Sequence, residues 1–448
     1  MTLTKEQKDA FKYIENGDNI FITSKGAGCG KTYLLNQIIQ VYKKKKNIAI
    51  TASTGIAAVL LNGMTLHSWA GIGLGKKDTK TLIKDILKKK NYKSRWIKTD
   101  ILIIDEISLI SPELFEKIDY IGRFIRDNSR PFGGIQLIVS GDWLQLPTVD
   151  SDKYAFQSKL WKTTINSVVY LKTIQRQKNP LFQEVLNSIR IGRITNKVKK
   201  ALRSRLNIEL KNEYGIIPTQ LYSMNIDVEK INNQELEKLA KTTNSFKRIY
   251  NAKWIPKIIN KQSKITSYFN TSNIEKKDKH EFNDIEVETK EVSQEYLEIC
   301  NCQEKLELLI GLQVILISNL DQKRKLVNGS RGIIIGFNEE DFPIVKFING
   351  IQETIEYHLW SIEVDNVLIG EIKQIPLKLG YASTIHKSQG STLDYVIINL
   401  DKLFEVSQGY VGLSRVTHLE GLSIKGLDFN KFKVNIEALK FYEQLDKL

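Results

Sequence analysis

Cysteine is scarce. The three in 448 residues, Cys29, Cys300 and Cys302, argue against a disulfide framework and for an intracellular, reducing compartment. Cys300-Asn301-Cys302 offers two thiolates, but no further cysteine completes a structural zinc set and the nearest histidine is His280, so no metal centre is expected there. No apolar run approaches the roughly 20 residues that a membrane-spanning helix needs. Helix-forming sequence starts almost at Met1, so no signal or transit peptide is expected. No repeat of solenoid type is visible. Acidic residues are also short: 51 Asp+Glu stand against 66 Lys+Arg, a formal net charge of +15. That surplus suits a polyanionic partner such as nucleic acid, and equally a lysine-rich bias on solvated faces. What is present supports real cores, since 42% of the residues are hydrophobic and the length allows two to four domains.

Residues 1 to about 166 alternate short apolar strands with helical stretches, the pattern of a parallel α/β sheet. Strands are expected at 19–23, 48–51, 101–104 and 135–139, and a helix over 31–42. Between 71 and 98 the pattern breaks into glycines and lysines, which reads as a small insertion. Segment 111–126 places Leu114, Phe115, Ile118, Ile121 and Ile125 at three- and four-residue spacings, so it reads as an amphipathic helix packed on the first sheet. A second α/β unit is expected over 167–240 and 376–448. The stretch between, 241–375, has a lysine-, asparagine- and serine-rich lead-in with too few apolar positions for a core, expected to be partly disordered. It then turns into β-like runs joined by Asn328-Gly329 turn chemistry, which reads as a small inserted β-barrel.

Two motifs carry chemistry. Gly26-Ala27-Gly28-Cys29-Gly30-Lys31-Thr32 is a glycine-rich turn opening a helix, able to cradle nucleotide phosphates and, through Thr32, to hold magnesium. Asp105-Glu106, at the end of a buried strand, can hold that magnesium from the other side and polarise water. The loop departs from the strict pattern in one place, with Lys25 where the first glycine belongs. Gly141-Asp142-Trp143-Leu144-Gln145-Leu146-Pro147 puts Gln145 at the carboxyl end of a further strand, where open α/β sheets bind ligands. Arg176 and Arg415 are candidates to neutralise charge on a transferred phosphoryl group.

These motifs have company in a fixed order: Thr51 to Ala58, Thr65-Leu66-His67-Ser68-Trp69, Ile104 to Ser108, Gly141 to Pro147, Arg176-Gln177, Thr384-Ile385-His386-Lys387-Ser388-Gln389-Gly390 and Tyr410 to Val416. The ladder resembles that of superfamily 1B helicases of the PIF type, and the helix over 111–126 resembles the segment that separates them from RecD-like relatives. Residues 313–331 resemble the family's inserted barrel, and only about 241–300 goes unmatched.

The resemblance implies two RecA-like P-loop NTPase domains with parallel sheets. The first (1–166) would carry a wedge insertion at about 71–98. The second would carry an SH3-like barrel within 241–375. It implies ATP and Mg²⁺ as cofactors and 5′→3′ movement on single-stranded DNA, acting as a monomer on forked or tailed duplex, with G-quadruplex DNA as a further substrate. By residue, Gln7 would read the adenine edge, and Gly26, Ala27, Gly28, Cys29, Gly30, Lys31 and Thr32, with Gly390, would hold the nucleotide. Thr32 and Asp105 would hold Mg²⁺, Glu106 would activate water and Gln145 would sense the γ-phosphate. Arg176 and Arg415 would complete the site from the second domain. Thr54, His67, Ser68, Trp69, His386, Lys387 and Ser388 would line the single-strand track, Trp69 as a stacking face. The family is associated with DNA replication, repair, recombination and telomere upkeep, none of which is read from the residues. Rival readings are a nucleotide switch that remodels proteins without tracking DNA, and a single-strand-binding or annealing protein with weak ATPase activity, its loop spoiled by Lys25.

Overall fold

Buried apolar runs and amphipathic stretches in the first third of the chain fold as a sheet with helices on its faces. In order they are α1 (Lys5–Glu15), β1 (Ile20–Ser24), α2 (Lys31–Tyr42), β2 (Ile48–Ala52), α3 (Gly55–Leu60), β3 (Met64–Thr65), α4 (Leu66–Ala70), α5 (Thr79–Lys88), α6 (Lys90–Lys98), β4 (Ile101–Asp105), α7 (Pro112–Arg126), β5 (Gln136–Ser140), α8 (Trp161–Thr164) and β6 (Ser167–Leu171). The six strands run in the order β3-β2-β4-β5-β1-β6, all pairings parallel. β1 and β4 are buried along their whole length, which is why they read as unbroken apolar runs. This computed structural model describes residues 3–445 apart from 74, 149–150, 152, 211–216, 244–245, 258–291, 322–323, 325, 327 and 365–366. Most of the lysine-rich lead-in expected before the barrel, with His280, therefore lies outside the described residues.

One expectation about the first unit is corrected. Its boundary does not fall at 166, because β6 pairs with β1 from Ile20↔Ser167 to Ser24↔Leu171 and closes an edge that would otherwise be left open. The stretch read as an insertion, 71–98, carries the two helices α5 and α6. Asp78 caps α5 by accepting from Thr81 N, and Leu82, Ile83 and Ile86 pack into the first core while the lysines face water. The helix α7 matches its expectation: Ser111 caps it, and Phe115, Ile118, Ile121 and Ile125 are buried in that core.

The second unit begins with α9 (Pro180–Arg190), α10 (Asn196–Arg203), β7 (Thr219–Tyr222) and α11 (Asn225–Thr243). An inserted region follows, with β8 (Arg248–Asn251), β9 (Lys253–Pro256), α12 (Gln294–Cys300), β10 (Lys305–Leu308), β11 (Gln313–Leu316), β12 (Arg331–Phe337), β13 (Pro343–Phe347), β14 (Gln352–Thr354), β15 (His358–Val364), β16 (Val367–Gln374) and β17 (Leu377–Leu379). The unit resumes with β18 (Ala382–Thr384), β19 (Val396–Leu400), α13 (Gln408–Leu413), β20 (Leu422–Leu427) and α14 (Ile436–Leu445). Its sheet is parallel, in the order β18-β7-β19-β20. The inserted region is antiparallel, with a five-stranded sheet β14-β13-β12-β11-β17, a three-stranded sheet β15-β16-β9 and the pair β10-β8. Because β17 pairs with β11, the insertion runs to Leu379 rather than to 375. The C-terminal helix α14 crosses back to the first unit, where Ala438 and Tyr442 join its core. No helix among the described residues is long and apolar enough to cross a membrane.

Candidate functional site

The loop between β1 and α2 is held in an open, donor-rich path. Gly30 caps α2 at φ 90° with no side chain, leaving the amides of the first helical turn pointing outward, a natural seat for an anion. Gly28 is required twice over: its φ is 81°, and a β-carbon there would fall 2.4 Å from Cβ of Arg176. Lys25, in the place of the missing glycine, is exposed and does not adopt a positive φ; its amide donates to Leu171 O at 2.9 Å. Its β-carbon therefore strains nothing, and the spoiled-loop reading loses its physical basis. Lys31 Nζ donates to Ser24 Oγ at 3.0 Å, and Ala27 N donates to the Tyr410 hydroxyl at 2.7 Å, tying the loop to α13. Cys29 is buried, and burial pushes its thiol up. Gln7 is buried against the loop, its amide 3.9 Å from a β-carbon placed on Gly30, while its Oε1 accepts from Thr4 N in the capping box of α1.

Facing this loop, β4 delivers the acidic pair. Glu106 adopts φ 53°, a turn that ends the strand, and Ser53 Oγ donates to its carbonyl at 2.5 Å. Burial, followed by repulsion from Glu106, pushes the Asp105 carboxyl up to about 7. A carboxyl held that high is one a nearby cation would return to its charged form. Thr32, Asp105 and Glu106 line a cavity of about 540 Å³; Thr32 and Glu106 also line the cavity around the phosphate loop, and Asp105 does not. A hydroxyl and a carboxylate fit Mg²⁺, which takes few protein ligands and keeps waters and phosphate oxygens as the rest. Glu106 Oε2 also accepts from Gln389 Nε2 at 2.9 Å, a contact between the two units.

Gln145 is fixed by a buried polar hub. Its Nε2 donates to Asp142 Oδ2 at 3.3 Å, and Asp142 is paired with Arg190 of α9 at 2.8 Å, with side-chain exposures of 0% and 4%. Tyr442 of α14 donates to Asp142 Oδ1 at 2.9 Å, and the Arg190 guanidinium lies 4.4 Å over its ring. Burial works to raise the Asp142 carboxyl, and attraction to Arg190 and Lys31 outweighs it, holding the group below the usual carboxylate range.

The two candidate arginines close the other side. Arg176 lies on the connection leaving β6, not within the second unit as expected, because β6 belongs to the first sheet. Its amide donates to Gly28 O, while its guanidinium reaches across to Ser414 O at 3.0 Å and Gly390 O at 3.3 Å. Arg415 follows α13, is 1% exposed and donates to Val411 O, Ser391 O and Ser414 Oγ. It has no carboxylate partner among the described residues, and burial followed by repulsion from Arg176 pushes it down to about 9. Ala27 to Thr32, Glu106, Gln145, Arg176, Gly390 and Arg415 line one cavity of about 430 Å³. Gly26 and Gln7 are not among its lining residues.

The cavity of about 540 Å³ runs beside it between the two units and the inserted region. Thr54, His386 and Lys387 line it, opposite Asn319, Asn328, His358 and Trp360 of the insertion. His386 pairs with Glu405 at 2.6 Å. His67 and Ser68 sit on α4 and are not among its lining residues; burial lowers the His67 pKa. Two expectations fail here. Trp69 is 3% exposed, its ring 4.5 Å from that of Trp96, so it packs in the first core and has no face to offer a base. Ser388 is also buried, its hydroxyl donating to Ile385 O at 2.8 Å, so it shapes the loop from within.

Sequence reasoning missed Gln389, Asp142, Arg190, Tyr410 and Tyr442. Gln389, Asp142 and Tyr410 lie inside the ordered motifs, within three residues of positions singled out or at a motif's edge, but their partners come from distant segments. Nothing local marks Arg190 or Tyr442.

With this geometry in place, the relatives are informative. Residues 2–200 match the PIF1-like helicase family, and 298–337 match the 2B domain of the DNA helicase Pif1. The ATP-dependent DNA helicase PIF1 of Xenopus laevis is 36% identical over 99% of this chain, which spans 65% of that protein's length. The crystal structure of Pif1 helicase from Candida albicans aligns with a TM-score of 0.80 at 32% identity, covering 99% of this chain and 100% of that one. Pif1 helicase from Bacteroides in complex with ADP-AlF₃ and single-stranded DNA aligns with a TM-score of 0.66 at 29% identity, covering 100% and 98%.

Proposed function

The chain belongs to the PIF1-like helicase family, its two parallel sheets being the two RecA-like domains, and from that premise we propose that it hydrolyses ATP to move 5′→3′ along single-stranded DNA and separate the duplex ahead. One observation carries the reading. A single cavity takes its phosphate loop, Glu106 and Gln145 from the first domain, and from the second a buried guanidinium, Arg415, which among the described residues is hydrogen-bonded to no carboxylate. Such a site is complete only while the domains are closed, and it wants an anion between them.

In this mechanism Lys31 and the loop amides bind the phosphates. Thr32 and Asp105 would hold Mg²⁺, which supplies charge neutralisation at the phosphate oxygens. Glu106 orients the attacking water, and Gln145 follows the γ-phosphate through its tether to Asp142. Arg176 and Arg415 stabilise charge on the transferred group. Closure with ATP and reopening after hydrolysis alternate the grip of the two domains on a strand in the adjoining 540 Å³ cavity. There Thr54, His386 and Lys387 face the strand; His67 and Ser68 would meet it further along. We take the α5–α6 insertion as the wedge at the junction and the inserted antiparallel sheets as an SH3-like barrel. The protein acts as a monomer on forked or tailed DNA, with G-quadruplexes as a further substrate.

ATP turnover with and without single-stranded DNA tests this reading. Turnover should rise with DNA, Lys31→Ala should weaken nucleotide binding, and Glu106→Gln should bind ATP and stall. Turnover indifferent to DNA would favour a protein-remodelling switch.

A further inference from the structure

Beside the proposed strand cavity lies a smaller one of about 100 Å³. Leu60, Asn301, Asn328, Lys387 and Gln389 belong to both, so the small cavity opens as a side pocket off the larger. Three cations reach it from three stretches of chain: Arg331 at the start of β12, Lys378 in β17 and Lys387 in the loop after β18. No aspartate or glutamate is among its lining residues.

Among the described residues, Arg331 and Lys378 each make one side-chain hydrogen bond. Arg331 is 6% exposed and donates through Nη1 to Thr219 Oγ1 at 2.7 Å, with Asp394 the acid that acts on it from beyond the wall. Among the described residues, Lys378 Nζ reaches only Asn301 Oδ1, at 3.5 Å, the outer limit of a hydrogen bond. The nearby hydroxyls of Ser388 and Ser391 are turned inward, to Ile385 O and Ser388 O. Burial, then repulsion from Lys387, pushes the Lys378 ammonium down to about 8, and burial lowers the Arg331 pKa. Lys387 is exposed, but Arg331 and Lys378 are drawn back from water with no acid in the pocket lining, which is costly unless an anion arrives to meet them.

We propose that Lys378, Arg331 and Lys387 form a seat for one backbone phosphate of the single strand threading the larger cavity. The inference rests on the proposed function and adds to it the inserted region's own hold on the strand. A backbone phosphate fits better than a free one, because the residues shared by both cavities would contact the same strand on either side of the seated group.

The test is binding of a fluorescent oligothymidylate to the full chain across about 50–200 mM salt. Wild type should show a steep log–log slope. Lys378→Met should reduce that slope by about 0.7, the share of one phosphate contact, and weaken binding several-fold at low salt. Lys378→Arg should keep the slope, which a merely structural role for the side chain would not require. Should Lys378→Met fail to fold, Lys378→Gln carries the same expectation. An unchanged slope in the neutral variants, against a steep wild-type slope, overturns the seat and leaves the helicase reading standing. A wild-type chain that does not bind the oligomer overturns both.

Discussion

Arg190→Met removes a guanidinium from the hub behind the phosphate loop while keeping much of the stem. The pair it breaks is among the most enclosed in the protein, Arg190 and Asp142 being 4% and 0% exposed at 2.8 Å. Taking one partner from such a pair costs about 3–5 kcal/mol, because the other charge is left buried. Asp142 keeps the Tyr442 hydroxyl at 2.9 Å, Leu144 N at 3.1 Å and the Gln145 amide at 3.3 Å, so the lower end, about 3 kcal/mol, is expected. Urea unfolding of the full chain measures it. Adding Asp142→Asn removes the stranded charge and should recover more than half the loss, a coupling that the double-mutant cycle isolates. The pH dependence has a definite sign. In wild type the carboxyl is held low, so its contribution is fully present above the ordinary carboxylate range and is lost only as pH falls through the depressed value. In Arg190→Met the strongest lowering influence is gone and burial drives the carboxyl up, so the deficit should shrink on going from about pH 8 to pH 5. A deficit below about 1 kcal/mol, or one independent of pH, refutes the assignment of this pair as the strut between the domains.

Three further outcomes follow from the geometry. Trp69→Ala should cost about 3–5 kcal/mol of stability, as for a large core side chain, and leave the salt slope of DNA binding unchanged; lost DNA affinity at full stability would return Trp69 to the strand track. Arg415→Ala should lower DNA-stimulated turnover by about 10³–10⁵ while nucleotide affinity stays within a few-fold; turnover within a few-fold would break the two-domain site. The Lys378 ammonium sits near 8 when folded against an ordinary 10.5, so between those values the unfolded chain binds the extra proton and folding gains with rising pH. The melting-temperature advantage of Lys378→Met over wild type should therefore narrow between about pH 7 and pH 9.5, and a constant gap would show the ammonium is not held down.

Much of this molecule can be read along the chain because its chemistry is local. The loop that ends in Lys31, the strand that ends in Asp105 and the helical face of Phe115 and Ile118 each announce themselves within a few residues. The misreadings have a common cause in pairing across long distances. Ser167–Leu171 looks like the start of a new unit until it is seen to complete the first sheet beside β1. Residues 79–98 read only as an insertion because lysines interrupt them, yet Leu82, Ile83, Ile86 and Trp96 share a buried side. Trp69 sits inside a motif of polar track residues, and only the approach of Trp96 reveals it as core. Tyr442, some 300 residues from Asp142, carries no local signal at all.

Strand separation on paired substrates, identical duplexes with a 5′ or a 3′ single-stranded tail, tests the central claim most directly. The account predicts ATP-dependent separation of the 5′-tailed duplex, little of the 3′-tailed one, and none with Lys31→Ala. Separation from the 3′ tail, or none from either while ATP turnover ignores single-stranded DNA, would contradict it.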